Sequence, residues 1–457
     1  MTIDAAVTEL SNLLGRRLSR SKSDLEIHGR SETHFPLTPP DAVAYPKTAE
    51  EVQDIVQVCA RHKCPVIGWG VGTSLEAHAL AVAGGVTVDF SRMNKILRVN
   101  QEDMDVVVQP GVTREALNHE LRATGLFFPV DPGANATLGG MAMTRASGTT
   151  AVRYGTMRDN VLGLEAVLAN GKRIRTGTRA RKSSAGYDLT GLLVGSEGTL
   201  ALVTELTLRL QGQPEAISAA ICAFPDMESA VNTVIGTIQM SIPMARIEFV
   251  DPNMAAAFNI YASANLPETP HLLCEFHGSD EAVARDVARF HEIAEDMGAT
   301  GFEWASRAED RKALWAMRHN AHYASLALRP GSSVLVTDIC VPISRLAGAV
   351  EETREDIANA PFPGTILGHV GDGNFHAELM FDKDDVVERT AVKQLAERMV
   401  DRALRMGGTC TGEHGIGIGK LDYMAAEHGE AWSTMGDIKR ALDPDNIMNP
   451  GKVVRLN

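Results

Sequence analysis

Asp131-Pro132-Gly133-Ala-Asn-Ala-Thr137-Leu-Gly139-Gly140, followed by Ser147-Gly148 and then Arg153-Tyr154-Gly155-Thr-Met-Arg-Asp159-Asn160, is the stretch on which the fold turns. It opens a block, residues 133–198, holding 12 glycines in 66 positions, against 41 in the 457 of the whole chain. Twice the average density without low complexity means many places where backbone turns tightly or lets something approach closely. The block closes with Gly195-Ser-Glu197-Gly198-Thr-Leu-Ala-Leu-Val203 and a strand, Leu206–Leu210. Upstream, the buried strand Pro65-Val-Ile67 runs into a second loop, Gly68-Trp69-Gly70-Val71-Gly72-Thr73-Ser74. Its amides and two hydroxyls suit a pyrophosphate. It lacks the third glycine of the dinucleotide fingerprint, and by itself reads equally well as an ordinary tight turn.

Working outward, residues 40–210 alternate helix and strand. Thr48-Ala-Glu-Glu51 reads as a capping box opening a helix with Val52, Ile55, Val56 and Cys59 inward. Val86–Phe90 and Val106–Gln109 read as strands, and Thr113 caps a helix through Leu117 and Leu121 that Gly125 stops. After Gly212-Gln-Pro214 charge rises and strands again alternate with helices. One helix is expected over Arg307–Leu328 and another over 390–406. The expected organisation is an N-terminal helical segment 1–38, a first domain 39–213, a second 214–405 and a C-terminal segment 406–457.

A net charge of −14 and the lack of any basic patch argue against nucleic acid as a partner. The six cysteines are scattered without a CxxC pair, which suits reduced thiols. Met1-Thr-Ile-Asp-Ala-Ala lacks the basic and apolar regions of a signal peptide, and no run approaches a membrane span. The expectation is a cytoplasmic chain without a transmembrane segment, with peripheral membrane association and a homodimer left open.

The chemistry concentrates in two short stretches, Gly368-His369-Val-Gly-Asp-Gly-Asn-Phe-His376 and Gly412-Glu413-His414-Gly415. Imidazoles plus a carboxylate suit a zinc- or manganese-class ion, and one histidine beyond the ligand set is a candidate proton-transfer group. Read from these residues alone, a metallohydrolase using zinc-bound hydroxide explains the set but leaves the glycine-dense half without a role. Gly415-Ile-Gly-Ile-Gly419-Lys420 has the look of a P-loop, but the spacing is wrong and Leu421 replaces the magnesium-binding hydroxyl.

Both glycine segments resemble the flavin-binding domain of vanillyl-alcohol-oxidase-type (PCMH-type) proteins. Arg318-His-Asn-Ala321, Thr337-Asp-Ile-Cys-Val-Pro342-Ile-Ser344, the two histidine stretches and Asn449-Pro-Gly-Lys452 resemble its D-lactate dehydrogenase, glycolate oxidase and D-2-hydroxyglutarate dehydrogenase group, the D-lactate branch most of all. The resemblance implies an α+β fold: a two-subdomain FAD-binding domain and a cap domain whose central antiparallel sheet is covered by helices. It implies FAD held by Trp69, Gly70, Val71, Gly72, Thr73, Ser74, Pro132, Gly133, Thr137, Gly140, Ser147, Gly148, Tyr154, Gly155, Glu197, Gly198, Val203 and Asn449; some relatives attach flavin covalently near the phosphate loop, but His78 there reads as a structural histidine, so non-covalent FAD is expected. It implies a divalent metal, zinc or manganese, on His369, His376 and Glu413, with His414 as the base and Arg318 on the substrate carboxylate. His322 is a further substrate-side candidate. The implied reaction is oxidation of a D-2-hydroxy acid, D-lactate-like, to the 2-oxo acid. A quinone, cytochrome or electron-transfer flavoprotein would take the electrons. A catalytically silent flavoprotein subunit of a glycolate-oxidase-type complex is the other alternative. Val336, where relatives acting on the dicarboxylic acid tend to have lysine, favours a monocarboxylic substrate. Glu378, two residues beyond His376, is unusual for the group.

Overall fold

Thr48 does what its spacing to Glu51 predicts: its hydroxyl accepts from the Glu51 amide at 3.2 Å and opens the helix Ala49–His62. The apolar positions Val52, Ile55, Val56 and Cys59 are buried. They pack on the parallel strands Ala42–Ala44, Val66–Trp69 and Val86–Asp89, with Leu18–Ser19 added antiparallel at one edge. Two helices, Ile3–Leu14 and Lys22–His28, lie ahead of the parallel strands and of residue 39. A second, antiparallel sheet runs Ile96–Asn100, Asp105–Val108, Ala201–Arg209, Val161–Leu168, Arg173–Gly177 in spatial order. Its core takes in Leu117 and Leu121 of the Thr113-capped helix Arg114–Leu121.

The computed structural model describes residues 2–456. They form two compact units: one holds residues up to Ser147, Gly155–Gln213 and everything from Glu413 on, the other Gly148–Tyr154 and Pro214–Gly412. The second unit thus takes in a seven-residue excursion from the glycine block and runs to Gly412 rather than ending at 405. No helix among the described residues is long and apolar enough to cross a membrane.

The second unit is built on an antiparallel sheet with the spatial order Thr300–Ala305, Ala216–Ala223, His271–Gly278, Met244–Val250, Gly364–His369, Asn374–Phe381, Ser333–Val336, to which Ile339–Cys340 adds beside Asn374–Phe381. Residues opposite each other in such a ladder share a face. Val250, Leu273 and Leu367 lie on one face and pack against Met254 and Phe258 of the helix Pro252–Ala262, Trp315 of Ala308–His319 and Ala324 of Ala321–Leu328. The same face carries Arg246, Glu248, Glu275, His277, His369, His376 and Glu378. The opposite face carries residues such as Phe276, which meets Phe290 of the helix Asp280–Asp296 edge-on.

One local expectation is corrected. The helix expected over Arg307–Leu328 breaks at Asn320, whose φ of −90° and ψ of 12° leave the α-helical well. Asparagine is a poor helix-interior residue, and the bend lets Ala321 and Ala324 join Trp315 in the core. His322 therefore does not lie one turn beyond Arg318 on a continuous helix. Ahead of Gly412, Thr409 makes an isolated bridge to Cys340, and its hydroxyl accepts from the Thr411 amide at 3.3 Å, bending the chain locally.

Asp251 shows how tightly this unit is tied. Its Oδ1 accepts from the Met254 amide at 2.8 Å, capping the helix, and from the Ile366 amide at 3.0 Å. Burial pushes its carboxyl up to about 6 against the pull of those amides. A carboxyl raised in the fold is protonated there before it is in the unfolded chain. Its contribution is therefore most favourable below pH 4 and is lost as pH rises from about 4 to 6, on the order of 3 kcal/mol. Asp251→Asn keeps an acceptor oxygen without the charge. Its melting temperature relative to wild type is expected to be more favourable at pH 7 than at pH 4.5. A gap independent of pH would contradict the assignment.

Candidate active site

In the first unit the residues expected to hold FAD come together in two groups, Gly70 with Thr137 and Gly140, and Glu197 with Gly198 and Asn449. Gly70 is forced: a Cβ there would come 2.3 Å from the Thr137 hydroxyl. That hydroxyl is buried, opens the helix Leu138–Thr144 without capping it, and has no hydrogen-bond partner in the described structure. Gly72 (φ +76°) turns the loop against the Trp69 ring. Asn449, itself at φ +40°, donates through Nδ2 to the carbonyls of His78 (2.9 Å) and Glu197 (2.7 Å) and accepts from the Lys452 ammonium at 3.0 Å. Lys452 also bonds the Leu80 carbonyl. Burial pulls its ammonium down to about 7, with Glu197 opposing.

Glu197 accepts the Ile416 and Gly417 amides at 2.7 and 2.8 Å, and its Oε1 lies 3.3 Å from Nε2 of buried His78. Burial raises its carboxyl, but the His78 side chain and the two amides outweigh this and hold it below the usual range. Gly415 (φ +82°) fits over this pair, since a Cβ there would meet His78 Nε2 at 2.6 Å and Glu197 Oε1 at 2.7 Å. The orphaned Thr137 hydroxyl and the side-chain-free passage at Gly70 fit a phosphate-bearing cofactor. Val203 lies with its side chain in the apolar core, so only its backbone could serve a ligand. Pro132, Ser147 and Gly155 line the same unit, whereas Gly148 and Tyr154 belong to the excursion that joins the second unit. There the Tyr154 hydroxyl bonds His277 Nδ1 at 2.8 Å.

In the second unit His369 ends its strand and His376 lies on the next. The turn between them is a short 3-10 stretch, Val370–Asp372, closed by Gly373 at φ +77°. The rings stand 5.5 Å apart at 84°. His369 Nδ1 lies 2.7 Å from Glu248 Oε1, and His376 Nδ1 lies 3.1 Å from the Thr337 carbonyl oxygen. A carboxylate and a carbonyl only accept, so both histidines carry a proton on Nδ1, which in the neutral ring leaves the lone pair on Nε2. Two imidazoles tautomerised alike by fixed acceptors are what a metal requires of its ligands.

Arg318 directs Nε and Nη2 at Glu248 Oε2, at 3.0 and 2.7 Å. The expected grip on a carboxylate is thus partly committed, leaving the Nη1/Nη2 end of the fork. Asp338 Oδ1 accepts from Asn374 (2.7 Å) and its Oδ2 from the Thr411 hydroxyl (2.8 Å). At Gly412 a Cβ would meet the Asn374 amide at 2.2 Å. The chain leaves this unit at Gly412, and Glu413 and His414 belong to the first unit. His322 Nδ1 lies 3.5 Å from Glu378 Oε1 and is about half exposed, while Val336 stands opposite Glu378 in the ladder.

Glu248, Asp338, Asn374, Glu275, His277 and Arg246 were not anticipated. Glu275 accepts from His277 and Trp315 at 2.8 and 2.6 Å, and lies 3.4 Å from Arg246. Burial raises its carboxyl, but His277 and Arg246 hold it lower still. A signal existed: Arg246 and Glu248 alternate with apolar residues in one strand, Glu275 and His277 in another, and buried charge of that period marks a functional face.

Comparison with known proteins matches the model described as "FAD linked oxidases, C-terminal domain" to residues 213–453, and that described as "FAD binding domain" to residues 40–177. The chain belongs to the FAD-linked oxidase family. It is 49% identical over 435 residues to a probable mitochondrial D-lactate dehydrogenase of Danio rerio, covering 94% of this chain and 88% of that protein. It is 42% identical to the mitochondrial D-lactate dehydrogenase [cytochrome] of Arabidopsis thaliana, covering 98% and 80%. Among solved structures, p-cresol methylhydroxylase with substrate bound superposes with a TM-score of 0.82 at 18% identity, covering 98% of this chain and 96% of that one. That likeness speaks for the fold alone. This FAD-linked oxidase therefore has the expected vanillyl-alcohol-oxidase-type architecture, and FAD is its cofactor.

Proposed function

We propose that this FAD-linked oxidase oxidises a D-2-hydroxy acid of the D-lactate kind to the 2-oxo acid. The observation that carries the reading is the pair His369 and His376, each donating through Nδ1, on the sheet face where Glu248 also holds Arg318 of the helix Ala308–His319. His369, His376 and Glu413 would hold a divalent ion, zinc or manganese, and the glycine loops with Thr137 and Asn449 would hold FAD non-covalently. When bound, the flavin supplies a hydride acceptor and the ion a Lewis acid that lowers the pKa of a hydroxyl.

The chain's own residues supply the rest. The Nη1/Nη2 end of Arg318 binds the substrate carboxylate with charge-assisted hydrogen bonds. His414 takes the hydroxyl proton as the C–H hydride leaves, since a neutral imidazole is suited to that near pH 7. Buried Glu378 opposite Val336 puts a negative charge where a second carboxylate would otherwise find lysine, which favours a short monocarboxylic substrate. The relatives named for cytochrome make a cytochrome-type acceptor the first to try. A metallohydrolase would leave the FAD-binding half idle, and a silent subunit would not need two matched histidine tautomers.

Anaerobic mixing of the holoprotein with D-lactate is expected to bleach the flavin, whereas L-lactate leaves it yellow. Chelator treatment is expected to abolish bleaching and manganese or zinc to restore it. Persistent yellow colour with every D-2-hydroxy acid tried would sink the proposal.

A further inference from the structure

Glu248 is fully buried in the middle of the sheet, a position at which an unpaired carboxylate would be severely penalised. Its two oxygens are divided: Oε1 serves His369 Nδ1 at 2.7 Å, and Oε2 serves both Nε and Nη2 of Arg318. We propose that Glu248 is a positioning residue that couples the two halves of the substrate site, setting the tautomer of the metal-side histidine and the orientation of the carboxylate-side arginine through one side chain. The inference rests on the proposed role of His369 as a metal ligand and of Arg318 as the substrate anchor.

The chemistry of an amide makes the proposal sharp. A carboxylate has two acceptor oxygens, so it can satisfy a histidine N–H on one side and a guanidinium on the other. A glutamine has one acceptor and one donor. With its oxygen toward Arg318, its amino group faces His369 Nδ1 and forces the proton to Nε2, where it blocks ligation. With its oxygen toward His369, the amino group faces Arg318 and the guanidinium loses its partner. Either way one half of the site fails, and no rotamer restores both. A residue that merely filled space would tolerate the isosteric change.

The test uses full-length holoprotein with FAD bound, stripped of metal by chelator and titrated with Mn2+ while free Mn2+ is followed by electron paramagnetic resonance. Glu248→Gln is expected to weaken Mn2+ binding at least about 10-fold or to raise KM for D-lactate by a similar factor, with flavin content unchanged. Glu248→Asp, which keeps two acceptor oxygens on a shorter arm, is expected to recover part of the loss. It carries the test alone should the glutamine variant not fold, and wild-type Mn2+ affinity and KM in the aspartate variant would then overturn the inference. His376→Ala separates the two levels. If His376→Ala loses Mn2+ binding while Glu248→Gln keeps wild-type affinity and KM, the Glu248 inference alone fails. If both keep wild-type affinity, the metal assignment beneath it fails as well.

Discussion

A His414→Ala variant is expected to reduce its bound flavin with D-lactate about 100- to 10,000-fold more slowly than wild type, the range over which a positioned general base acts. Single-turnover stopped-flow spectroscopy reads this directly, because flavin bleaching reports the hydride step without the unknown acceptor. The loss should fall on kcat and kcat/KM alike, as for an interaction made only in the transition state. Substrate grip by Arg318 and its Glu248 brace lies in the second unit and does not involve His414. FAD content is expected to stay at the wild-type level, which distinguishes a lost base from a collapsed flavin site. Wild-type bleaching rates in this variant would remove His414 from the mechanism.

How much of this was legible in the sequence depends on the range of the interaction. Caps and amphipathic stripes are local, so the helix after Thr48 and that after Thr113 were readable from spacing within four residues. The pair His369 and His376 was readable because three glycine-rich positions between them can only be a turn, which returns both rings to one place. The break at Asn320 was not, because the apolar pattern runs through it and only packing against Trp315 makes the bend worthwhile. Glu248 lies 121 residues from His369 and 70 from Arg318. No local pattern links residues so far apart; only the sheet register does, by setting the strand Met244–Val250 beside Gly364–His369. The supporting residues Asp338 and Asn374 escaped notice for the same reason, since their roles arise from what they hold in place. The ligand-type side chains stand out by chemistry, whereas the residues that orient them stand out only by geometry.

Asn449→Leu is expected to be the most damaging single change in the flavin-binding unit. The wild-type side chain makes three hydrogen bonds in a place with almost no solvent access, two given to the carbonyls of His78 and Glu197 and one received from Lys452. Leucine has the same number and branching of heavy atoms, with bulkier methyl groups, but leaves two carbonyls and an ammonium short of a partner, at roughly 1–3 kcal/mol for each such group. It must also adopt φ near +40°, a region asparagine tolerates and leucine resists at a further cost of about 1–2 kcal/mol. The total is comparable to the whole stability of a typical domain. The expected outcome is a protein that purifies with little flavin, read as the 450 nm to 280 nm absorbance ratio, and melts well below wild type. The cause can be separated from simple disruption through Lys452. Burial already pulls that ammonium down to about 7, so without Asn449 it loses one of its two hydrogen-bond partners and keeps the Leu80 carbonyl. Adding Lys452→Met should therefore cost less in the Asn449→Leu background than in wild type, because the two residues share one interaction. Strictly additive losses would mean that Asn449 acts through the two carbonyls alone, and full flavin content in Asn449→Leu would mean that this network does not shape the FAD site.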